Sequence, residues 1–222
     1  TEPQLTTIDE KPVELGEELT RVIPVIMGLR QAWDGPISID TLKPTVARSA
    51  ISVGATIWND VSALGGEMAV QSALELNCEV ILMHMQGEPR TMQESPVYAD
   101  VVAEVTASLK GRADEALAAG IKREKISLDP GIGFGKTLEH NLALLRGLDR
   151  LTALGFPVVL GVSRKRSIQA IDPSAVSPDD RLGGSLALAL YGAEKGASVL
   201  RVHDVRETVQ ALKVRAALEA GQ

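Results

Sequence analysis

Asp129-Pro130-Gly131-Ile132-Gly133-Phe134-Gly135-Lys136 follows directly on an apolar segment, Lys125-Ile126-Ser127-Leu128, and this junction decides how the fold is read. The apolar segment reads as a short buried strand, which puts the Asp129 carboxylate at its C-terminal end. Proline fixes one dihedral and lacks a donor, while glycine permits positive φ and close approach of backbone to a ligand. A flexible surface loop has no need of an acid anchored so rigidly at its mouth. In a barrel of alternating strands and helices, the strand C-termini are where ligands bind. The competing reading is an ordinary glycine-rich turn between a strand and a helix.

Working outward, five more apolar runs of the same form lie at residues 37–39, 56–58, 80–83, 158–162 and 199–202, beside the one at 126–128. Helical patterns over 13–32, 44–53, 67–76, 98–119, 138–154 and 178–195 separate or precede them, and one over 206–218 closes the series. Such alternation predicts parallel strands with crossover helices. Gly54, Gly120, Gly155 and Gly196 each fall just past a helical pattern, where a C′ glycine belongs. No linker or shift in composition marks a second domain, so residues 1–222 read as one domain.

Composition narrows the class. The chain has 45% apolar and 23% charged residues and a net charge of −6 with acids and bases interspersed. That balance carries no footprint of a nucleic-acid or membrane-surface partner. The single cysteine, Cys78, reads as a small core residue. No apolar run approaches the length of a membrane span and no signal pattern opens the chain, so a soluble cytoplasmic enzyme is expected. Aromatic content is only 3%, which leaves Ala, Leu, Val and Ile to build the core.

The strand ends are more informative than the strands. In order they carry Asp40-Thr41, Asn59-Asp60, His84-Met85-Gln86, Asp129-Pro130, Ser163-Arg164-Lys165-Arg166 and His203-Asp204, with Arg201 just before the last pair. An Asp after a strand is often a helix N-cap, and Asp60 and Asp204 fit that simpler role. His84 fits a hydrogen-bonded turn histidine. Metal chelation by His84 and His203 is the weaker reading, because no third ligand lies at a helical or hairpin spacing from either. Together, the ends set carboxylates and an amide against Lys165, Arg201 and His203. Acceptor groups suit a flat heterocycle bearing amino and ring N–H donors. A Lys, Arg and His cluster suits phosphate or pyrophosphate through charge-assisted hydrogen bonds.

Six blocks resemble, in order, the signature segments of dihydropteroate synthase: Ser38-Ile39-Asp40-Thr41, Asn59-Asp60-Val61, 82–87, 129–136, 161–165 and 201–205. The resemblance runs from about residue 12 onward. It implies a TIM (β/α)8 barrel that joins 6-hydroxymethyl-7,8-dihydropterin pyrophosphate to p-aminobenzoate, releasing pyrophosphate, with Mg²⁺. By the same resemblance, Asp129 and Asn59 would hold the pterin edge, and Asp40 would lie against the ring. Met83, Phe134 and Gly161 would wall the pocket. Lys165 would bond the pterin carbonyl side and help hold p-aminobenzoate. Arg201 would lie over the ring face, and with His203 would hold the leaving pyrophosphate. A homodimer, formed through the late helices, is the oligomer the resemblance implies.

The departures set further expectations. Six of the eight βα units are readable, and nothing matches the family's first strand and loop, whose Asn binds the metal. The Mg²⁺ ligand is therefore expected in an N-terminal segment absent from this sequence, with no metal ligand among its own residues. Thr1 can be laid on a pyrophosphate-side threonine, although Glu2 then replaces an anion-binding Arg. Ser167 stands where the family often has an apolar residue. Two alternatives stand beside the synthase. One is a methyltetrahydrofolate-dependent methyltransferase, which would not use the Ser-Arg-Lys and Arg-Val-His blocks. The other is an inactive fragment or homologue.

Overall fold

Six short strands form in chain order, all parallel: β1 (Ser38–Asp40), β2 (Ile57–Asp60), β3 (Glu79–Met83), β4 (Ile126–Asp129), β5 (Val159–Leu160) and β6 (Val199–Leu200). They were obtained from a computed structural model that describes residues 13–87 and 91–220. Strands β1 to β4 make one sheet in sequential order, and β5 pairs with β6. A bridge between Leu128 and Val158 joins the two sets, backed by the Leu128 amide donating to the Pro157 carbonyl at 2.9 Å. The result is an open arc of six strands with β1 and β6 at its margins and no pairing between those two. Six of the eight strands of a (β/α)8 barrel are thus present among the described residues.

The helices are α1 (Leu15–Ala32), α2 (Pro44–Ser52), α3 (Ala69–Leu76), α4 (Val101–Ala118), α5 (Leu138–Arg146), α6 (Leu148–Thr152), α7 (Arg166–Ile171), α8 (Leu182–Glu194) and α9 (Val205–Glu219). Local chemistry sets several of their ends. Asp100 caps α4 by accepting from the amides of Val102 and Ala103, and Thr137 forms a capping box with His140 at the start of α5. The four glycines expected past helix ends all have positive φ: +118° at Gly54, +103° at Gly120, +74° at Gly155 and +92° at Gly196.

Strands of two to five residues offer few ladder bonds, so burial must hold them. Trp58, Val80, Leu82, Ile126, Leu128, Val158 and Leu160 are essentially inaccessible and pack with α3 to α6 in one cluster. Each such aliphatic side chain contributes about 1.5–3 kcal/mol relative to exposure. Cys78 lies in the same cluster as a small apolar residue. A second cluster sets Ile37 and Ile39 against Ile26 of α1 and Val46 and Ala50 of α2.

Three expectations needed revision. The helix over 138–154 is two helices, because the chain breaks at Gly147, where an added Cβ would lie 2.8 Å from Val102 of α4. That glycine lets two helices approach more closely than any side chain would permit. The pattern at 178–195 opens as a 3₁₀ turn over Pro178–Arg181 before α8 begins. Helix α7 was not anticipated; six residues are too few to show a helical period.

Candidate active site

Parallel register brings the acid and amide side together. Asp40 of β1 pairs with Asn59 of β2, and Met83 of β3 pairs with Asp129 of β4. The Asn59 amide hydrogen-bonds the Asp40 carboxylate, while the Asn59 side-chain carbonyl oxygen is buried with no partner among the described residues. Buried polar atoms are nearly always satisfied, so this acceptor is open to a donor from water or a bound ligand. Met83, the register partner of Asp129, is buried.

Asp129 is 8% exposed and accepts from the Gly131 amide at 2.7 Å. Burial pushes its carboxyl up to about 6, partly opposed by that amide and by Lys165, Arg201 and Lys136. Burial also raises Asp40, against Arg201 and the Asn59 hydrogen bond. Both acids are therefore short of partners for their charged forms.

The cationic side meets them across the arc. The Arg201 guanidinium lies 3.7 Å from Asp40. Lys165 sets its ammonium 4.7 Å from the centre of the Phe134 ring and acts electrostatically on both Asp40 and Asp129. His203 is tied to buried Ser163, whose hydroxyl lies 2.8 Å from Nδ1 and 3.2 Å from the His203 amide. A Cβ added at Gly161 would meet nothing within 4 Å, so that residue borders open space. Of the expected site residues, Asp40, Asn59, Met83, Asp129, Phe134, Gly161, Lys165, Arg201 and His203 all stand at the strand C-termini. Thr1 lies outside the described residues.

The two aspartates read as helix caps do other things. Asp60 accepts from the amide and hydroxyl of Ser62, both at 2.7 Å, and closes a tight turn well before α3. Asp204 does precede α9 but gives it no side-chain cap; its carboxylate takes Nε and Nη2 of Arg164 at 3.1 and 2.7 Å. A bidentate guanidinium pair outcompetes a single cap bond. Arg164 adopts a positive φ of 56° and also reaches Asp179 at 2.6 Å.

Three structural cations escaped the sequence reading. Arg164 binds the β5 loop to the β6 loop. Buried Arg181 donates to the carbonyls of Ala175, Val176 and Arg164 and to the Gln169 side chain, fixing the loop behind Lys165. Lys136, last residue of the opening motif, is 3% exposed. Its place at the end of that motif was the one available signal. Among the described residues no group of three or more His, Cys, Asp or Glu could hold a metal ion.

The sequence matches the family described as pterin binding enzyme over residues 3–203. It is 44% identical over 214 residues to the dihydropteroate synthase of Haemophilus influenzae, covering 96% of this chain and 75% of that protein. The chain belongs to the dihydropteroate synthase family. Solved structures agree with that placement. Dihydropteroate synthase of Xanthomonas albilineans with 4-aminobenzoic acid superposes at a TM-score of 0.90 and 45% identity, covering 96% of this chain and 75% of that one. The same enzyme in complex with 7,8-dihydropteroate gives 0.88 at 45%, covering 94% and 76%. The six-stranded arc is therefore read within the barrel of the dihydropteroate synthases, a fold whose active sites sit at the strand C-termini.

Proposed function

We propose a division of labour among the strand-end residues for the family's reaction. The chain is a transferase of folate biosynthesis: it joins the dihydropterin-methyl group of 6-hydroxymethyl-7,8-dihydropterin pyrophosphate to p-aminobenzoate, releasing pyrophosphate. Asp129 accepts from the pterin amino group and ring N–H, and the unpartnered Asn59 oxygen takes a further donor on that edge. Met83, Phe134 and Gly161 wall the ring. The methylene C–O bond breaks with its electron pair leaving on pyrophosphate, which Arg201 and His203 receive, while Lys165 bonds the pterin carbonyl side and helps hold p-aminobenzoate. Asp40 stabilises the delocalised cation that remains. The aniline nitrogen then attacks the methylene carbon and loses a proton, so no protein nucleophile is required.

The observation that carries this reading is the opposition of Asp129, Asn59 and Asp40 to Lys165 and Arg201 at the strand ends, with His203 following β6. The family's Mg²⁺ finds no fitting set of protein ligands among the described residues, and no step above is routed through it. The reading extends to one domain over residues 1–222, a cytoplasmic location and a homodimer. No helix of the described residues is long and apolar enough to cross a membrane, and α9 presents Val205, Val209, Val214 and Leu218 to the outside.

The test is product identification. The protein is supplied with the pterin pyrophosphate, p-aminobenzoate and Mg²⁺, and dihydropteroate and pyrophosphate are quantified together. They should appear one for one. Methyl transfer from methyltetrahydrofolate in place of dihydropteroate would move the chain to the corrinoid methyltransferases.

A further inference from the structure

Lys136 takes no part in the chemistry above, yet it is the most buried cation among the described residues. Its ammonium donates to the carbonyls of Phe134 at 2.8 Å, Gly131 at 3.0 Å and His84 at 3.2 Å, and lies 3.1 Å from His84 Nδ1. The three N–H groups of the ammonium are shared among these four acceptors, and while Lys136 is charged Nδ1 accepts, with the His84 proton on Nε2. Burial and the charge of Lys136 depress His84 to about 4, which keeps the ring neutral for this role.

These contacts join two loops that nothing else separates. A Cβ at Gly131 would lie 1.9 Å from the His84 carbonyl oxygen, and one at Gly135 would lie 2.4 Å from that of Gln86. Both glycines have positive φ, +65° and +59°. The β4 loop is thus pressed backbone to backbone on the β3 loop, with three carbonyl oxygens converging on one point. Buried oxygens so placed repel each other and need a donor among them. Lys136 supplies it.

The same loop presents the pterin-facing groups. The Gly131 amide orients the Asp129 carboxylate, and the Gly131 carbonyl is held by Lys136. The Phe134 carbonyl is held there too, and its ring carries Lys165 on its face. Three further bonds brace the loop from outside: Asn141 to the Gly133 amide, Gln93 to the Gly133 carbonyl and Tyr98 to the Gly135 carbonyl. From within, the Phe134 amide donates to the Gly131 carbonyl at 3.1 Å, and Lys136 ties that carbonyl to those of Phe134 and His84.

We infer that Lys136 is a positioning residue for the pterin half of the site, its ammonium locking loop 129–136 in the shape that presents Asp129 and Phe134. This rests on the pterin assignment made above. Burial lowers Lys136 to about 7 against the pull of Asp129, while the three carbonyls favour its charged form. The other titratable groups on this contact are His84, which is neutral, and Tyr98 and Glu104, which bear on His84 from the α4 side.

The experiment is calorimetric titration of a pterin into the wild type and Lys136→Met, at a temperature where circular dichroism shows both folded. Positioning predicts affinity weaker by about tenfold or more in the variant, as for loss of a charged hydrogen bond. The ratio of the two affinities should also shrink as pH rises and wild-type Lys136 loses its proton. Comparing the two proteins cancels any titration of the pterin itself. Lys136→Gln, which keeps one donor, should fall between them. A folded Lys136→Met protein with wild-type pterin affinity overturns the inference. Failure of both variants to fold assigns Lys136 to stability alone and overturns it equally. A wild type that binds no pterin instead strikes at the pterin assignment.

Discussion

Arg201 and Asp40 approach to 3.7 Å although they close opposite margins of the strand arc, one at the end of β6 and the other at the end of β1. Their side chains are 59% and 40% exposed. A pair so open to solvent adds no more than about 1 kcal/mol to stability. On the proposed reading its value lies in function: it sets a cation beside Asp40, the acid assigned to the pterin ring.

Arg201→Ala should therefore separate stability from activity. Thermal unfolding should shift little, whereas dihydropteroate formation should fall by about 10²–10³-fold, the usual cost of removing one group preorganised toward developing charge. Near-normal turnover in the variant would remove Arg201 from the pyrophosphate side.

Arg181 makes the opposite case. It is buried, and Arg181→Met would strand the carbonyls of Ala175, Val176 and Arg164 together with the Gln169 side chain. Leaving buried acceptors unpaired costs about 1–3 kcal/mol each before relaxation. Denaturant unfolding should show a loss of at least about 3 kcal/mol. A loss below 1 kcal/mol would mean that water replaces the guanidinium readily and the loop behind Lys165 is held by other contacts.

Gly161 tests the pocket wall without touching charge. Because a Cβ there meets no protein atom within 4 Å, Gly161→Ala should leave stability within about 0.5 kcal/mol of wild type. If the open space belongs to the pterin, binding should nevertheless weaken measurably by calorimetry. Equal affinity would place the ring elsewhere.

The sequence showed the alternation and the polar strand ends because both are local. Buried strands leave apolar runs, and helix ends leave glycines, so all six strands and the candidate residues at their mouths could be placed. What it hid is tertiary. Asp204 looks like a cap until Arg164, 40 residues away, reaches it. Apart from its place in the opening motif, nothing local distinguishes Lys136 from a solvated lysine, since its burial depends on folding its own loop against that of His84. The break at Gly147 depends on Val102 of another helix.

The most direct test of the account is the pterin affinity of wild type and Asp129→Asn followed against pH by calorimetry. The substitution keeps shape but turns one acceptor into a donor facing pterin donors, and should weaken binding by at least about tenfold near pH 8 with the fold unchanged. In the empty wild-type site Asp129 sits near 6, and the pterin donors favour its carboxylate. On the acid side, wild-type affinity should thus fall by up to about tenfold per unit below that pH, a limb the variant lacks. A folded Asp129→Asn protein that binds pterin as tightly as wild type, with the same pH profile, would contradict the central assignment.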